Sequence, residues 1–278
     1  MSKEFILTTR RKDKINISVF GKENILKAPC IIFVHGFKGF KDWGFGPYLA
    51  KYFASKGYFV ITFNFSHNGI GDNPFEFTEL DKFSENTFSL EIDELSELVS
   101  AYLNGYFGNS IKKIGLVGHS RGGAISLLAA GKFQEVKAVA LWASVSDLDK
   151  YSKRQKENWR KNGAFEVINN RTRQVMKIKL NLLEDLEKNK EDSLNIKKAV
   201  QNLNKPLFIA HGEQDLTVKI KEGEQIYLWS NKELTEFHKI PSTGHTFDIK
   251  HPFVGSNPRF EQLLMLTENF FKNNLLRG

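Results

Sequence analysis

The chain has 278 residues, of which 41% are hydrophobic, and its formal net charge is +8. This length and apolar content allow one α/β domain with a sizeable core, and no apolar run approaches the roughly 20 residues of a membrane-spanning helix. The lysines are scattered, and no zinc-finger spacing or RNA-binding signature occurs, so we expect no nucleic-acid partner.

The single cysteine, Cys30, rules out an internal disulfide and a cysteine-based zinc site. The N-terminal segment lacks the long apolar core and the small-residue cleavage site of a signal peptide. We therefore expect a cytoplasmic protein in which Cys30 is a small apolar core residue.

Strand-like and helix-like segments alternate along the chain. In chain order, the patterns predict the strands EFILTT, KINISVFG and CIIFV, the helix PYLAKYFASKG, the strand YFVITFNF, a helix within SENTFSLEIDELSELVSAYLNGY, the strand KIGLVG, the helix GAISLLAAGKF and the strand VKAVALWA. After a long polar segment come the strand PLFIAHG, the helix KIKEGEQIYLWS, the strand TEFHKI and the closing helix RFEQLLMLTENFFKNNLL.

The inner strands are apolar along their whole length, which is typical of a parallel sheet with helices on both faces. We predict a single α/β domain over residues 1–278 with a mostly parallel, eight-stranded sheet and an antiparallel edge formed by the first two strands. Residues 146–203 interrupt the alternation for more than fifty residues without a strand signal, too long for a simple connection. We predict that this segment is a small helical cap over the carboxyl edge of the sheet. The alternative is a solvated pair of helices without a functional role.

A short motif, GLVGHSRGG at 115–123, places Ser120 between a predicted strand and a predicted helix. Gly118 and Gly122 lie two positions away on either side. The pattern is compatible with an ordinary strand-to-helix turn, but it is also that of a nucleophile elbow, in which the turn exposes the serine hydroxyl. Serine needs a neighbouring base, and the base needs a third group that orients it.

Reactive groups in such sheets collect on the loops beyond the carboxyl ends of the strands. Asp215 follows one late strand in HGEQD, and His245 follows the next strand in PSTGHTF. The chain order Ser120, Asp215, His245 is the order associated with the nucleophile elbow. We predict that these three residues form a catalytic triad, with Asp147 as the alternative acid.

Four motifs together resemble the α/β-hydrolase superfamily of the serine-esterase type: HGFKGFKDW, GHSRGG, HGEQD and STGHTF. The resemblance covers nearly the whole chain and extends to feruloyl-esterase-like, dienelactone-hydrolase-like and peptidase-like relatives. It implies an α/β-hydrolase fold and an esterase that cleaves a small-molecule carboxylic ester through an acyl-enzyme, without a metal or an organic cofactor. It also implies an oxyanion hole formed by the backbone N–H groups of Phe37 and Arg121.

Other functions of the same fold stay open at this point. The triad could serve a peptidase, an amidase or a thioesterase, and a non-catalytic ligand-binding protein could keep the fold. The residues predicted to line the substrate pocket are Phe40, Trp43, His67, Trp159 and Phe165. The side chain of Arg121 is interpreted as a loop partner or as a ligand for a substrate carboxylate.

Overall fold

A computed structural model describes residues 2–73, 75–169 and 172–276 of the chain. Its strands are β1 (Lys3–Thr8), β2 (Lys14–Phe20), β3 (Cys30–Val34), β4 (Phe59–Phe63), β5 (Ile114–His119), β6 (Val136–Trp142), β7 (Ala164–Ile168), β8 (Val175–Lys179), β9 (Leu207–Gly212) and β10 (Thr235–Ile240). Its α-helices are α1 (Gly46–Ser55), α2 (Leu80–Ser84), α3 (Phe88–Leu103), α4 (Arg121–Ala130), α5 (Lys153–Asn162), α6 (Leu180–Asn189), α7 (Ile196–Gln201), α8 (Ile220–Trp229) and α9 (Pro258–Phe271).

The main sheet has eight strands in the order β1-β2-β4-β3-β5-β6-β9-β10 among the described residues. Strands β1, β2 and β4 pair antiparallel, and every pair from β4 across to β10 is parallel. This arrangement confirms the predicted fold class, including its antiparallel N-terminal edge. Because β3, β5, β6, β9 and β10 are parallel, the loops after them emerge at the same edge of the sheet.

Both faces of the sheet are covered, and strand β3 shows why it has to be apolar throughout. Ile31 and Phe33 belong to an apolar cluster shared with α1 and α9, whereas Cys30, Ile32 and Val34 belong to the cluster shared with α3 and α4. Successive side chains of a strand point to opposite faces, so the five side chains of β3 are buried on both faces of the sheet, and all five are apolar.

The helices begin where local signals favour it. The Thr87 hydroxyl caps α3 by accepting a hydrogen bond from the Leu90 N–H at 3.1 Å. Asn257 caps α9 in the same way, and Pro258 occupies the first turn, where its missing N–H costs nothing. None of the helices in the described part of the chain is long and apolar enough to cross a membrane.

The segment 146–203 differs from the predicted helical cap. It contains α5, α6 and α7, but also an antiparallel hairpin of β7 and β8. In β8, Met176 and Ile178 are buried while their neighbours are exposed, which is a half-buried strand pattern. This alternation is short and lies among many charged residues, so the sequence pattern did not predict the two strands.

Candidate active site

Ser120 occupies the tight turn between β5 and α4. Its backbone has φ 57° and ψ −123°, a conformation that a residue with a side chain adopts only under strain. A Cβ atom at Gly118 would lie 2.5 Å from the Gly122 carbonyl oxygen, and one at Gly122 would overlap the Val34 carbonyl oxygen. The glycines therefore allow strand and helix to approach closely enough to hold this turn.

The structure brings Ser120, Asp215 and His245 together at the carboxyl edge of the sheet. Nε2 of His245 lies 3.0 Å from Oγ of Ser120, and Nδ1 of His245 lies 2.8 Å from Oδ2 of Asp215. Asp215 lies on the loop after β9, and His245 on the loop after β10. The three side chains form one continuous hydrogen-bonded chain with the imidazole in the middle.

Asp215 is buried and richly supplied with donors. Burial alone would raise the pKa of its carboxyl group, but hydrogen bonds from His211, His245 and the Val218 N–H hold that pKa well below its ordinary value. The N–H groups of Thr217 and Val218 both donate to Oδ1 at 2.8 Å. An ionised carboxylate only accepts hydrogen bonds, so Nδ1 of His245 carries a proton, and Nε2 is free to accept one from Ser120 when the imidazole is neutral.

His119 supports the backbone of this group. Its Nε2 donates to the carbonyl oxygen of His245 at 2.9 Å, and burial, together with the nearby His245, lowers the pKa of His119 to about 3. His119 is therefore neutral at physiological pH and holds the His245 loop in place. His211 has a similar supporting position, because its Nε2 donates to the Val218 carbonyl oxygen at 2.7 Å.

The loop after β3 lies directly against the serine. A Cβ atom at Gly36 would lie 2.9 Å from both the Ser120 Cβ and the His119 carbonyl oxygen. The Gly36 carbonyl oxygen accepts hydrogen bonds from Nδ1 of His35 and from the Gly39 N–H, each at 2.9 Å. Because the C=O and N–H of one peptide point in opposite directions, these bonds fix the Phe37 N–H on the other side of the peptide plane.

His35 is held in one tautomer by its surroundings. The Phe65 N–H donates to Nε2 of His35 at 3.3 Å, so the proton on this ring lies at Nδ1. Burial lowers the pKa of His35 to about 4, with a smaller contribution from the charge of Arg121. The neutral imidazole is thus a permanent donor to the Gly36 carbonyl group.

The side chain of Arg121 is directed away from the serine. Its guanidinium carbon lies 4.2 Å from the Phe37 ring centroid and 4.9 Å from that of Phe88, and Nη1 lies 3.5 Å from Oε1 of Glu91. Arg121 is only 9% exposed and is not among the residues that line the cavity at Ser120. The interpretation of this side chain as a loop partner therefore fits the structure, and its interpretation as a carboxylate ligand for substrate does not.

A cavity of about 720 Å³ opens at Ser120 and His245. Its walls are largely aromatic: Phe33, Phe37, Phe40, Trp43, Phe45 and Phe77. The predicted pocket residues Phe40 and Trp43 are among them. Phe33, Phe45, Phe77, Lys38 and Lys250 also line the cavity and were not predicted to do so. Of these, Phe45 and Lys38 lie in HGFKGFKDWGFG, whose aromatic density is a signal for a continuous wall.

Three of the residues predicted to line the pocket do not line this cavity, so the prediction is wrong for them. His67 contacts Ser66 on a loop after β4, and does not line the cavity. Trp159 is 1% exposed and packs against Phe165 and Tyr151, with ring centroids 5.3 Å and 5.0 Å away. These aromatic residues form the interior of the inserted segment because the hairpin gives them a local core, which a pair of helices alone would not.

One further group has the chemistry of metal ligands. The candidate ligand atoms of Asp13, His67 and Glu94 all lie within 4.8 Å of one another. Both carboxylate oxygens of Glu94 already accept hydrogen bonds from Ser66. This group does not line the Ser120 cavity.

The fold and this site define a class of proteins: α/β proteins with a serine, histidine and aspartate on the loops at the carboxyl edge of a parallel sheet. Residues 29–192, more than half of the chain, match the sequence profile of the family described as alpha/beta hydrolase fold. The chain belongs to this family. No curated protein matches the chain in sequence.

Solved structures are similar to this chain over nearly its whole length. Est1E from Butyrivibrio proteoclasticus with bound ferulic acid is 18% identical, with 97% of this chain and 98% of that chain covered and a TM-score of 0.73. The esterase domain of a Rhodothermus marinus protein is 18% identical, with 99% of both chains covered and a TM-score of 0.65. The Pyrococcus furiosus esterase PF2001 is also 18% identical, with coverages of 98% and 90% and a TM-score of 0.64. At these identities the likeness shows a shared fold.

Proposed function

We propose that the protein is a serine hydrolase that cleaves carboxylic esters through an acyl-enzyme intermediate. The observation that carries this proposal is the unbroken hydrogen-bonded chain from Ser120 through His245 to Asp215, with Ser120 on a strained turn. Family membership and the esterases among the similar structures support it. A strained nucleophile turn next to a buried, ionised carboxylate has no evident use in a protein that only binds a ligand.

The first half of the reaction acylates the serine. His245 takes the Ser120 proton at Nε2 while Oγ attacks the ester carbonyl carbon, and a tetrahedral intermediate forms. The imidazolium is stabilised by the carboxylate of Asp215, which keeps its negative charge. The intermediate collapses when His245 gives its proton to the leaving alcohol, and the acyl group stays on Oγ.

The negative charge of the intermediate falls on the former carbonyl oxygen. Within the described chain, the backbone N–H groups of Phe37 and Arg121 have no hydrogen-bond acceptor. Both residues are next to the reacting centre, one across the Gly36 contact and one directly after Ser120. We assign these two N–H groups to the oxyanion hole, where preorganised donors stabilise the transition state more than the substrate.

The second half releases the acid. Water takes the place of the alcohol, and the same Nε2 of His245 removes its proton as it attacks the acyl carbon. Collapse of the second tetrahedral intermediate returns the proton to Ser120. The cycle consumes only ester and water.

The inserted segment 146–203 is proposed to act as a cap over the cavity. Asn169, at the end of β7, lines the cavity, and Nζ of Lys38 donates to the Ile168 carbonyl oxygen at 3.1 Å. Nε2 of Gln174 donates to the carbonyl oxygen of Phe77, a wall residue, at 3.0 Å. The hairpin, which was not predicted, therefore contacts the cavity wall.

The aromatic walls favour esters with a flat or bulky apolar group. Apolar walls with a few fixed polar groups are the usual composition of a small-molecule site. Est1E, which has the same fold, is described with ferulic acid, a phenolic acid with such a flat ring. We therefore expect aryl or long-chain acyl esters to be cleaved faster than acetyl esters.

Labelling by a fluorophosphonate probe, measured beside hydrolysis of a panel of esters, tests the proposal. The wild-type protein is expected to bind one probe covalently at Ser120 and to hydrolyse esters, and Ser120→Ala to do neither. Matched amide and thioester substrates belong in the same panel. A labelled protein that cleaves only amides or only thioesters would redirect the proposal to a peptidase or a thioesterase, and an unlabelled folded protein would overturn it.

A further inference from the structure

The lysine and carboxylate side chains of a cavity set the sign of its charge, and in the Ser120 cavity this sign is positive. Lys38 and Lys250 line it, and none of the lining residues is an aspartate or a glutamate. The whole chain is also basic, with a formal net charge of +8. A concave, largely apolar site with one sign of charge concentrates ligands of the opposite sign.

Lys38 has an environment that is unfavourable for a lysine without a charged partner. The desolvation that accompanies its partial burial lowers its pKa. Nζ donates to the Ile168 carbonyl oxygen and lies 5.7 Å from the Phe37 ring centroid, but it forms no ion pair with an acidic side chain among the described residues. A neutral carbonyl satisfies one of its three donors and leaves its charge unbalanced.

The backbone at Lys38 adds a second observation. Its φ is 56°, in the left-handed region where glycine or asparagine is more stable. The residue follows Phe37, whose N–H is assigned to the oxyanion hole, so this strained backbone lies in the loop that contacts Ser120 and lines the cavity. Backbone strain beside a candidate active site often indicates a functional role.

Lys250 lies at the exposed margin of the same cavity. It belongs to the loop that follows His245, so the two lysines come from separate loops. Within the described residues, Lys250 also forms no ion pair. A negatively charged ligand in this cavity would thus meet one half-buried and one exposed cation.

We infer that the cavity selects esters that carry a negatively charged group, a carboxylate in the simplest case, and that Lys38 and Lys250 bind this group. This inference rests on the proposed esterase activity and specifies its substrate class. The aromatic walls bind the apolar body of the ester, and the two lysines bind its charge. Their positions require the charged group to lie away from the scissile carbonyl, which faces Ser120.

Two matched substrate pairs test the inference. On the acyl side, the para-nitrophenyl monoester of adipic acid is compared with para-nitrophenyl heptanoate, in which an ethyl group replaces the carboxylate. On the alcohol side, meta-carboxyphenyl acetate is compared with meta-methylphenyl acetate. The quantity measured is the ratio of kcat/KM for the anionic ester to kcat/KM for the neutral one, because this ratio cancels effects common to both.

The wild-type ratio is expected to exceed one in at least one pair, and Lys38→Met to lower it about tenfold, as expected for the loss of a partly desolvated charge pair. Lys250→Met changes an exposed residue, so we expect this variant to fold normally and to lower the kcat/KM ratio about threefold. Lys132→Met is the matched control: it removes the same charge beyond the C-terminal end of α4, at the opposite edge of the sheet, and should leave the ratio unchanged.

The outcomes separate the two proposals. If the wild-type protein cleaves none of the four esters and takes no probe at Ser120, the esterase proposal fails. If it cleaves esters but prefers the neutral member of both pairs, or if Lys38→Met and Lys250→Met change the ratios no more than Lys132→Met, the selection of anionic esters is refuted and the esterase proposal stands.

Discussion

Among the residues that the structure describes, two groups bring a serine, a histidine and a carboxylate together. One is the proposed catalytic group of Ser120, His245 and Asp215, and the other consists of Ser66, His67 and Glu94. The same functional groups occur in both, yet only one has the arrangement of a nucleophile with its base. The comparison shows which features, beyond residue type, the chemistry requires.

The connectivity of the two groups differs. In the first, the imidazole lies between the hydroxyl and the carboxylate, so it can take a proton at one nitrogen while the other is held. In the second, the Ser66 hydroxyl lies between its partners, 2.6 Å from Nδ1 of His67 and also bonded to Oε1 of Glu94. An alkoxide at Ser66 would be adjacent to a carboxylate, and among the described residues no carboxylate accepts a hydrogen bond from His67.

The two carboxylates also differ in charge state. Backbone and imidazole donors keep the pKa of Asp215 well below its ordinary value, despite its burial. Burial raises the pKa of Glu94 to about 7, and the two hydrogen bonds from Ser66 only partly oppose this. Asp215 is therefore a permanent anion beside an imidazole, whereas Glu94 is partly protonated near neutral pH.

Removal of each serine gives the sharpest contrast. Ser120→Ala is expected to lower kcat for ester hydrolysis on the order of 10⁶-fold, because it removes the hydroxyl that is proposed to form the acyl-enzyme. Ser66→Ala should leave kcat within about threefold of wild type, since its hydroxyl does not reach the cavity, although loss of a hydrogen bond to Glu94 should cost about 1 kcal/mol of stability. Comparable losses of kcat in both variants would mean that the second group takes part in the chemistry.

The acid of the first group is tested next. Asp215→Asn is expected to lower kcat about 10⁴-fold, because the amide favours the wrong tautomer of His245. Asp147→Asn is the matched control, since Asp147 is exposed on the loop after β6 and its carboxylate accepts the Asp149 N–H at 2.8 Å. Steady-state kinetics on one ester would decide, and a larger loss in the Asp147 variant would refute the assignment of the acid.

The proposed oxyanion hole depends on a close approach that a single methyl group should disturb. Gly36→Ala would bring a Cβ within 2.9 Å of the Ser120 Cβ and shift the Phe37 N–H, so kcat should fall about 10²-fold with a smaller change in KM. Gly131→Ala adds the same methyl group where nothing lies within 4 Å, and its kinetics should match wild type. A Gly36→Ala enzyme with normal kcat would remove Phe37 from the mechanism.

The smallest effect concerns stability at the second group. The unfolded chain loses the Glu94 proton near pH 4.5, but the folded protein retains it to about pH 7, so raising the pH through this window favours unfolding. The resulting decrease in the free energy of unfolding is complete above pH 7 and is at most about 3 kcal/mol. Glu94→Gln removes it, and its Tm should therefore fall less than that of wild type between pH 5 and pH 8. Parallel Tm curves for the two proteins would contradict the raised pKa.

Much of the fold and of the candidate site could be predicted from local sequence patterns. Apolar strands such as β3 indicate a sheet covered on both faces, and parallel strands necessarily end at one edge. Ser120, Asp215 and His245 each follow a strand of this kind, so the topology alone brings them close. Ser66 and His67 carry the same functional groups, but no glycines flank Ser66 on both sides, so the sequence pattern did not indicate a nucleophile there.

The sequence by itself thus determined the order of the eight strands of the main sheet, because burial on two faces dictates residue type over every few positions. Only the tertiary structure decided which side chains face the cavity. Trp159 and Phe165 pack into the interior of the inserted segment, while Phe77 and Lys250 reach the cavity from distant loops. The direction of a side chain in a loop or an insertion depends on contacts between residues far apart in the chain, and no local period records such contacts.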